Sequence, residues 1–185
     1  MKLLLHICCA PCSIMCIETL RGEGIEPVGF WDNPNIHPFT EFRMRRNTLV
    51  DYAKEIGLSL VVEGGYGLRP FLEAVGGDFD GRCPVCYRLR MRSAARYAAE
   101  NGFTHFTTTL LISPYQNHEL LAQTAREAAE EFDVAFLYRD FRSFFREGQD
   151  RARAMGLYMQ KYCGCIFSEE DRYRKRKKPL KKEEA

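Results

Sequence analysis

The stretch Leu3-Leu4-Leu5-His6-Ile7-Cys8-Cys9-Ala10-Pro11-Cys12 decides the fold. Its apolar half predicts a short buried strand over residues 2–7, and a helical stretch follows over residues 13–21. The same alternation continues along the chain. Further strands are predicted over residues 27–31, 58–62, 103–108 and 134–138, and further helices over residues 40–56, 70–75, 84–101 and 117–131. Strands separated by helices in this way indicate a parallel α/β sheet of Rossmann type.

The overall organisation follows from this pattern. We expect a Rossmann-like (HUP-like) three-layer α/β fold with a parallel sheet of about five strands and a helical C-terminal part from residue 141 onward. The chain has 185 residues, 45% of them hydrophobic, which is enough for one core. Because no internal repeat or linker divides it, a single α/β domain over residues 1–170 is predicted, followed by a basic tail over residues 171–185.

The charge distribution is uneven, although the net charge is only +2. Eight Lys and Arg residues lie between Arg172 and Lys182, so the rest of the chain is mildly acidic. Basic arms of this kind often contact nucleic acid. A solvated terminus without a partner is the equal alternative.

The expected compartment governs how the eight cysteines are interpreted. The first residues lack the features of a signal peptide, and no stretch approaches the roughly 20 apolar residues of a membrane helix. We therefore expect a cytoplasmic protein without a membrane partner. In that compartment cysteines more often bind metal or perform redox chemistry than form a disulfide framework.

The segment Cys8-Cys9-Ala10-Pro11-Cys12 occupies the first predicted strand-to-helix turn. Ligands of such sheets bind at the carboxyl ends of the strands, so this turn lies at the expected ligand edge. It contains neither Gly-x-Gly-x-x-Gly nor Gly-Lys-Ser/Thr, and phosphate binding by those motifs is unsupported. Thiols at a helix N-terminus instead favour the thiolate, which binds metal or acts as a nucleophile.

A second pair, Cys83-Pro84-Val85-Cys86, stands at another predicted helix start. Two Cys-x-x-Cys units, 9/12 and 83/86, match the ligand count of a structural zinc site. A four-iron cluster also needs four thiolates, and it would leave Cys12 free if both Cys8 and Cys9 were ligands. The extra thiol and the position at the sheet edge argue against zinc, but spacing does not decide between 8/9 and 9/12.

Two further groups complete the set of cysteines. Cys163 and Cys165 are separated by one glycine, close enough for a strained and therefore redox-active disulfide. Additional metal ligands or plain buried thiols are the alternatives for this pair. Cys16 lies one turn beyond Cys12 and is expected to pack in the core.

Eight blocks in this order resemble one known family over nearly the whole chain. They are LHICCAPC at 5–12, NPNIHP at 33–38, RCPVC at 82–86, RL at 88–89, TTLLISPYQ at 108–116, DFR at 140–142, GLY at 156–158 and YCGCIFS at 162–168. Each block is weak alone, and their joint order is highly specific. On these blocks the chain resembles the QueH-type, cobalamin-independent epoxyqueuosine reductases.

The resemblance implies an iron–sulfur oxidoreductase acting in the last step of queuosine biosynthesis. The epoxide of epoxyqueuosine, at the wobble position of tRNA, is reduced by two electrons to the alkene of queuosine. The resemblance also implies a [4Fe-4S] cluster whose ligands match Cys8, Cys9, Cys83 and Cys86. Cys163 and Cys165 match a redox-active disulfide. The expected partners are tRNA bearing epoxyqueuosine and an unidentified electron donor.

An additional mononuclear iron is a further hypothesis, because a Lewis acid would stabilise the oxygen released from the epoxide. Cys12 is its candidate ligand and is alternatively a catalytic thiol. Asp140 is weakly preferred over Asp32, Asp78 and Asp80 as the carboxylate, and a turn or cap role is the alternative for each.

Arginine clusters and aromatic residues are candidates for tRNA contacts. Two arginine clusters are predicted either to contact phosphates or to form solvated helix faces: Arg43, Arg45 and Arg46, and Arg88, Arg90 and Arg92. Three aromatic residues are candidates for base stacking or for the core: Tyr115, Phe141 and Tyr158.

Two alternative functions are compatible with the same residues. One is a zinc-stabilised RNA-binding domain without catalysis. The other is a different iron–sulfur tRNA-modifying enzyme, such as a thiolation enzyme, although an adenylating enzyme would need the nucleotide loop that the first turn lacks.

Overall fold

A computed structural model describes residues 1–174 of the chain. The five strands are β1 (Leu3–His6), β2 (Val28–Trp31), β3 (Leu60–Val62), β4 (His105–Thr108) and β5 (Ala135–Phe136). The seven α-helices are α1 (Ala10–Gly22), α2 (Phe39–Glu55), α3 (Leu68–Val75), α4 (Arg82–Glu100), α5 (His118–Glu131), α6 (Phe145–Ala154) and α7 (Ile166–Tyr173). Two 3₁₀ turns occur at Thr109–Ile112 and Arg142–Phe144.

All strand pairs are parallel, and the sheet order is β3-β2-β1-β4-β5. Leu5 in the central strand β1 pairs with Gly29 on one side and Thr107 on the other. The chain winds outward from β1 in one direction and then from β4 in the other. The switch point between β1 and β4 is where an open α/β sheet forms its ligand crevice. The predicted fold class, with five parallel strands, is confirmed.

The core is built around β1, whose four residues are all buried. A parallel strand covered by helices on both faces needs such a continuous apolar run. Phe30, Trp31 and Phe106 from the neighbouring strands are also fully buried, and they pack in the same cluster. The core therefore holds the end of β1 in place. This also fixes the position of the residues that directly follow β1.

Helix α1 begins earlier than predicted, at Ala10 instead of residue 13. Pro11 lies in the first turn of the helix, where its fixed φ suits the helix and its missing N–H costs no hydrogen bond. Cys9 is the extended N-cap residue, and Cys12 lies in the first helical turn.

The prediction that the chain is helical from residue 141 onward is wrong for residues 155–165. Helix α6 ends at Ala154, and Gly156 has a φ of +67°, which stops the helix in the left-handed region. A loop follows, and α7 starts after Cys165. This loop contains Cys163 and Cys165.

The predicted boundary between the α/β domain and the basic tail, at residue 170, stays a prediction. Helix α7 continues to Tyr173, past the predicted domain end at residue 170. The basic tail from residue 175 onward lies outside the described residues. No helix within residues 1–174 is both long and apolar enough to cross a membrane.

Candidate active site

Three thiols meet where β1 ends. The Sγ atoms of Cys8, Cys9 and Cys12 all lie within 4.8 Å of one another, and those of Cys8 and Cys9 are 3.7 Å apart. All three residues are buried, and they are free thiols. The turn from the N-cap into the first turn of α1 points them into one space. The structure therefore brings together the 8/9 and the 9/12 pairs.

The three thiols do not share one protonation state. Hydrogen bonds from Cys12 and then from Cys9 hold the pKa of Cys8 well below its ordinary value. Burial raises the pKa of Cys9, and the hydrogen bond to Cys8 raises the pKa of Cys12. Cys8 is thus favoured as a thiolate held by two neighbouring thiols, and a thiolate is the form that binds metal.

Two polar side chains contact this group from distant parts of the chain. Thr109 Oγ1 accepts a hydrogen bond from the backbone N–H of Cys8 at 3.2 Å and donates to Cys8 Sγ at 3.5 Å. Gln160 Nε2 donates to Cys9 Sγ at 3.0 Å and lies 3.6 Å from Cys12 Sγ. The Oε1 atom of Gln160 is buried and has no hydrogen-bond partner within residues 1–174. Sequence reasoning missed Gln160, and only its nearness to Cys163 in the chain hints at it.

Cys83 and Cys86 lie in the first turn of α4, Cys83 exposed and Cys86 buried. Within residues 1–174 they fall outside the tight group of Cys8, Cys9 and Cys12. Burial raises the pKa of Cys86 to about 12. The two pairs of thiols are connected through Arg90, one turn further along α4.

Arg90 is a buried arginine, 2% exposed. It lies 3.9 Å from Cys86 Sγ through Nη1, donates to Asn33 Oδ1 at 2.7 Å and donates to His6 Nε2 at 3.4 Å. Its charge also contributes to lowering the pKa of Cys8. Arg90 therefore lies between the end of β1 and the start of α4.

His6 is a core residue. It is fully buried, and its Nδ1 lies 2.8 Å from Thr108 Oγ1. Burial, followed by the charge of Arg90, lowers its pKa to about 3. The imidazole is therefore neutral at ordinary pH.

The Cys163–Cys165 loop is held in place by α2. Arg45, 1% exposed, pairs with Glu41 at 2.6 Å and donates to the carbonyls of Cys163 at 2.8 Å and Tyr162 at 2.9 Å. His37 donates its backbone N–H to the Gly164 carbonyl at 2.8 Å. These contacts fix the loop through its backbone and do not use the two cysteine side chains.

The two loop thiols have different surroundings. Cys163 is exposed, and its Sγ receives a hydrogen bond from Gln116 Nε2 at 3.3 Å. Cys165 is buried and caps α7, with Ser168 N–H donating to its Sγ at 3.4 Å. Burial raises the pKa of Cys83, and the neighbouring Cys163 raises it further. Cys165 and Cys86 belong to one buried cluster, so the loop lies close to the start of α4.

Asp140 lies on the surface. Its carboxylate pairs with Arg142 at 2.6 Å, and this hydrogen-bonded pairing lowers the pKa of Asp140 to about 2. Asp140 is not one of the residues in the tight thiol group of the described chain. Cys16, which was predicted to pack in the core, is buried and donates to the Cys12 carbonyl at 3.3 Å.

The predicted roles of Arg45 and Arg90 are wrong. Both are buried, so they are neither phosphate contacts on a surface nor part of a solvated helix face. A signal for this was present, because Arg45 follows Glu41 and Arg90 follows Cys86 by four residues, the spacing of neighbours on a helix.

The three aromatic candidates separate clearly by burial. Phe141 is fully buried, and the hydroxyl of the partly buried Tyr158 donates to Glu41. Tyr115 is 84% exposed, and its ring lies edge-on to Phe145 at 5.8 Å. Of the three, Tyr115 alone presents an open ring, and it precedes the residue that contacts Cys163.

Comparison with solved structures supports the fold. The chain superposes with a TM-score of 0.50 on the crystal structure of a predicted subunit of tRNA methyltransferase from Methanocaldococcus jannaschii. The two are 10% identical, and the match covers 83% of this chain and 88% of that one. At this identity the likeness shows the fold alone.

Sequence comparison goes further. The chain is 36% identical to the epoxyqueuosine reductase QueH of Dehalococcoides mccartyi, over 96% of this chain and 98% of that protein. It is 32% identical to the protein of the same name from Thermotoga maritima, over 89% and 88% of the two chains. The sequence model of the family described as epoxyqueuosine reductase QueH matches residues 3–171. The chain therefore belongs to the epoxyqueuosine reductase QueH family.

Proposed function

We propose that this chain is an oxidoreductase that converts epoxyqueuosine in tRNA to queuosine. The observation that carries the proposal is the group of buried thiols at the sheet's ligand crevice in a member of this family. The epoxide takes up two electrons and two protons, both of its C–O bonds break, and the oxygen leaves as water. A reaction of this kind needs redox-active groups in a shielded site, and thiols supply them.

We further propose that Cys8, Cys9, Cys83 and Cys86 hold a [4Fe-4S] cluster, which supplies electrons when bound. The donor set fits, because soft thiolates are the usual ligands of iron–sulfur clusters. Cys8 is favoured as a thiolate before any metal binds. Arg90 contacts Cys86 and stabilises the anionic form of Cys8, which supports one shared site for both pairs.

Cys12 is then the additional thiol beside the cluster ligands. It is proposed either to hold a second iron or to act as a catalytic thiol. A carboxylate for such an iron is harder to supply, because Asp140 is engaged with Arg142. Its recruitment would first require that ion pair to open.

The Cys163–Cys165 dithiol is proposed as the second redox element. Two thiols that form a disulfide release two electrons and two protons, which is the number that the epoxide consumes. Gln116 holds Cys163, and Ser168 holds Cys165 at the cap of α7. An external electron donor would then reduce the disulfide again for the next turnover.

Tyr115 is proposed to contact the tRNA near the modified base. Single-stranded RNA is commonly recognised by stacking its bases on exposed aromatic rings. Tyr115 has such a ring, and Gln116 links its position to Cys163. A base stacked on Tyr115 would lie beside the redox pair.

The test is anaerobic purification, followed by incubation of the reduced protein with epoxyqueuosine-containing tRNA and nucleoside mass analysis. We expect brown protein with iron and acid-labile sulfide in about equal amounts, and a product lighter by one oxygen. Colourless protein containing zinc would instead favour the RNA-binding alternative.

Paired variants make this test specific. Cys8→Ala is expected to lose iron and activity together. Cys16→Ala, which removes a buried thiol of α1 that packs in the core, is expected to keep both. Equal losses in the two variants would argue against a special role for the thiols after β1.

A further inference from the structure

Arg90 is a buried cation, 2% exposed. Its guanidinium contacts the amide oxygen of Asn33, the imidazole of His6 and the thiol of Cys86. No carboxylate in the described part of the chain, residues 1–174, pairs with it. Arginine stays protonated at all ordinary pH values, so this charge cannot be removed by titration.

Arg45 is a second buried arginine, and a carboxylate balances its charge. It is as buried as Arg90, and it pairs with the carboxylate of Glu41 at 2.6 Å. A buried charge without an opposite charge is strongly unfavourable, and natural proteins rarely keep one. The contrast indicates that an anion other than a carboxylate balances Arg90.

The thiolates are the anions within reach. Cys86 Sγ lies 3.9 Å from Nη1 of Arg90, and Arg90 also contacts His6, two residues before Cys8. An iron–sulfur cluster with four thiolate ligands carries net negative charge, which grows by one when the cluster is reduced. A fixed cation beside it therefore stabilises the reduced form more than the oxidised form.

We propose that Arg90 is a positioning residue that balances the charge of the thiolate ligands and raises the reduction potential of the iron–sulfur centre. The inference rests on the proposed function, because it assumes that Cys8 and Cys86 are ligands. It assigns to Arg90 an electrostatic role that does not require contact with the tRNA.

The experiment compares three variants with the wild-type protein after anaerobic reconstitution. Arg90→Gln removes the charge and keeps an amide donor for Asn33, and Arg90→Lys keeps the charge. Arg92→Gln is the matched control, because it removes an exposed charge of the same helix, α4, that pairs with Glu131 of α5. Iron and sulfide content are measured first, and the midpoint potential is measured by redox titration.

We expect Arg90→Gln to shift the reduction equilibrium at least tenfold toward the oxidised form, which is ~59 mV for a one-electron couple. Arg90→Lys is expected to lie closer to the wild-type potential than to that of Arg90→Gln, and Arg92→Gln is expected to match the wild type. A full cluster in Arg90→Gln with the potential of the Arg92→Gln protein would overturn the inference.

Loss of the cluster in Arg90→Gln is also informative. If Arg90→Lys then retains the wild-type iron content, the charge is what the cluster needs, and the inference holds. If both variants lose the cluster equally, the hydrogen bonds of the guanidinium matter and its charge does not, which overturns the inference. Wild-type protein that binds no iron and sulfide would refute the proposed cofactor itself, an outcome distinct from an unchanged potential.

Discussion

Gln160 shows how one hydrogen bond can act on the thiol group. Its amide donates to Cys9 Sγ at 3.0 Å from a loop far along the chain. Partners of this kind orient metal ligands, and their loss typically weakens metal binding or activity by about 10–100-fold. We predict such a loss of iron retention for Gln160→Leu, measured by competition with a chelator. Gln123→Leu, which removes an exposed amide on α5, should retain iron normally.

His37 predicts a pH dependence of stability. Burial lowers its pKa to about 4, compared with roughly 6.5 in an unfolded chain. Its Nδ1 accepts from the Ile166 N–H at 3.3 Å, so the neutral form also ties the start of α7 in place. Between these two pKa values the unfolded chain binds a proton that the folded chain does not.

The contribution of His37 is therefore fully present above about pH 6.5 and is lost as the pH falls toward about 4. The loss amounts to at most ~3.4 kcal/mol of unfolding free energy. We predict that His37→Gln flattens this part of the curve when urea unfolding is measured across the pH range. Parallel curves for the two proteins would show that His37 does not titrate as described.

Gly164 constrains the loop between α6 and α7. Its φ is +154°, a conformation that side chains rarely adopt, and an added Cβ would lie 3.3 Å from Ile36 Cγ1. We predict that Gly164→Ala costs about 1–3 kcal/mol of stability and lowers activity by displacing the two thiols. Gly22→Ala, at a helical position with open space around it, should stabilise by about 0.5–1 kcal/mol. Thermal unfolding and the tRNA assay measure both effects.

The ion pair on α2 anchors the same loop. Arg45→Met would leave the carboxylate of Glu41 buried without its charged partner, at a cost of about 3–5 kcal/mol. The double variant Glu41→Leu/Arg45→Met removes both charges, and we predict that it regains much of this stability in urea unfolding of the metal-free protein. An equal destabilisation in the single and double variants would assign the cost to the missing hydrogen bonds with the Tyr162 and Cys163 carbonyls.

The whole molecule carries more positive charge at its C-terminus than elsewhere. Removing residues 175–185 deletes six Lys and Arg residues. We predict that the truncated protein binds tRNA more weakly. The slope of log affinity against log salt concentration should become shallower by roughly 0.7–0.9 for each phosphate that the tail neutralises. Iron content should be unchanged. Binding that is equally strong and equally salt-dependent without the tail would remove it from the tRNA interface.

The sequence predicted what local patterns encode. The apolar run of β1 and the helix after it placed Cys8, Cys9 and Cys12 at the sheet edge, and the alternation of elements indicated the fold class. The roles of Gln160 and Arg90 were not recognised, because their side chains meet residues 151 and 84 positions away in the chain. The polar side chains that surround a site are selected by tertiary packing, and short-range spacing indicates only local neighbours such as Cys86 and Arg90.

The hydrogen bond between Gln160 and Cys9 also has a consequence for how the protein is made. The thiols after β1 leave the ribosome long before the loop that covers them. At a synthesis rate of about 5–20 residues per second, the 151 positions between them take roughly 8–30 s to translate. During that interval the nascent thiols are open to oxygen and to competing metals. Iron bound at the proposed ligands before that point would lack the hydrogen bond from Gln160 to Cys9.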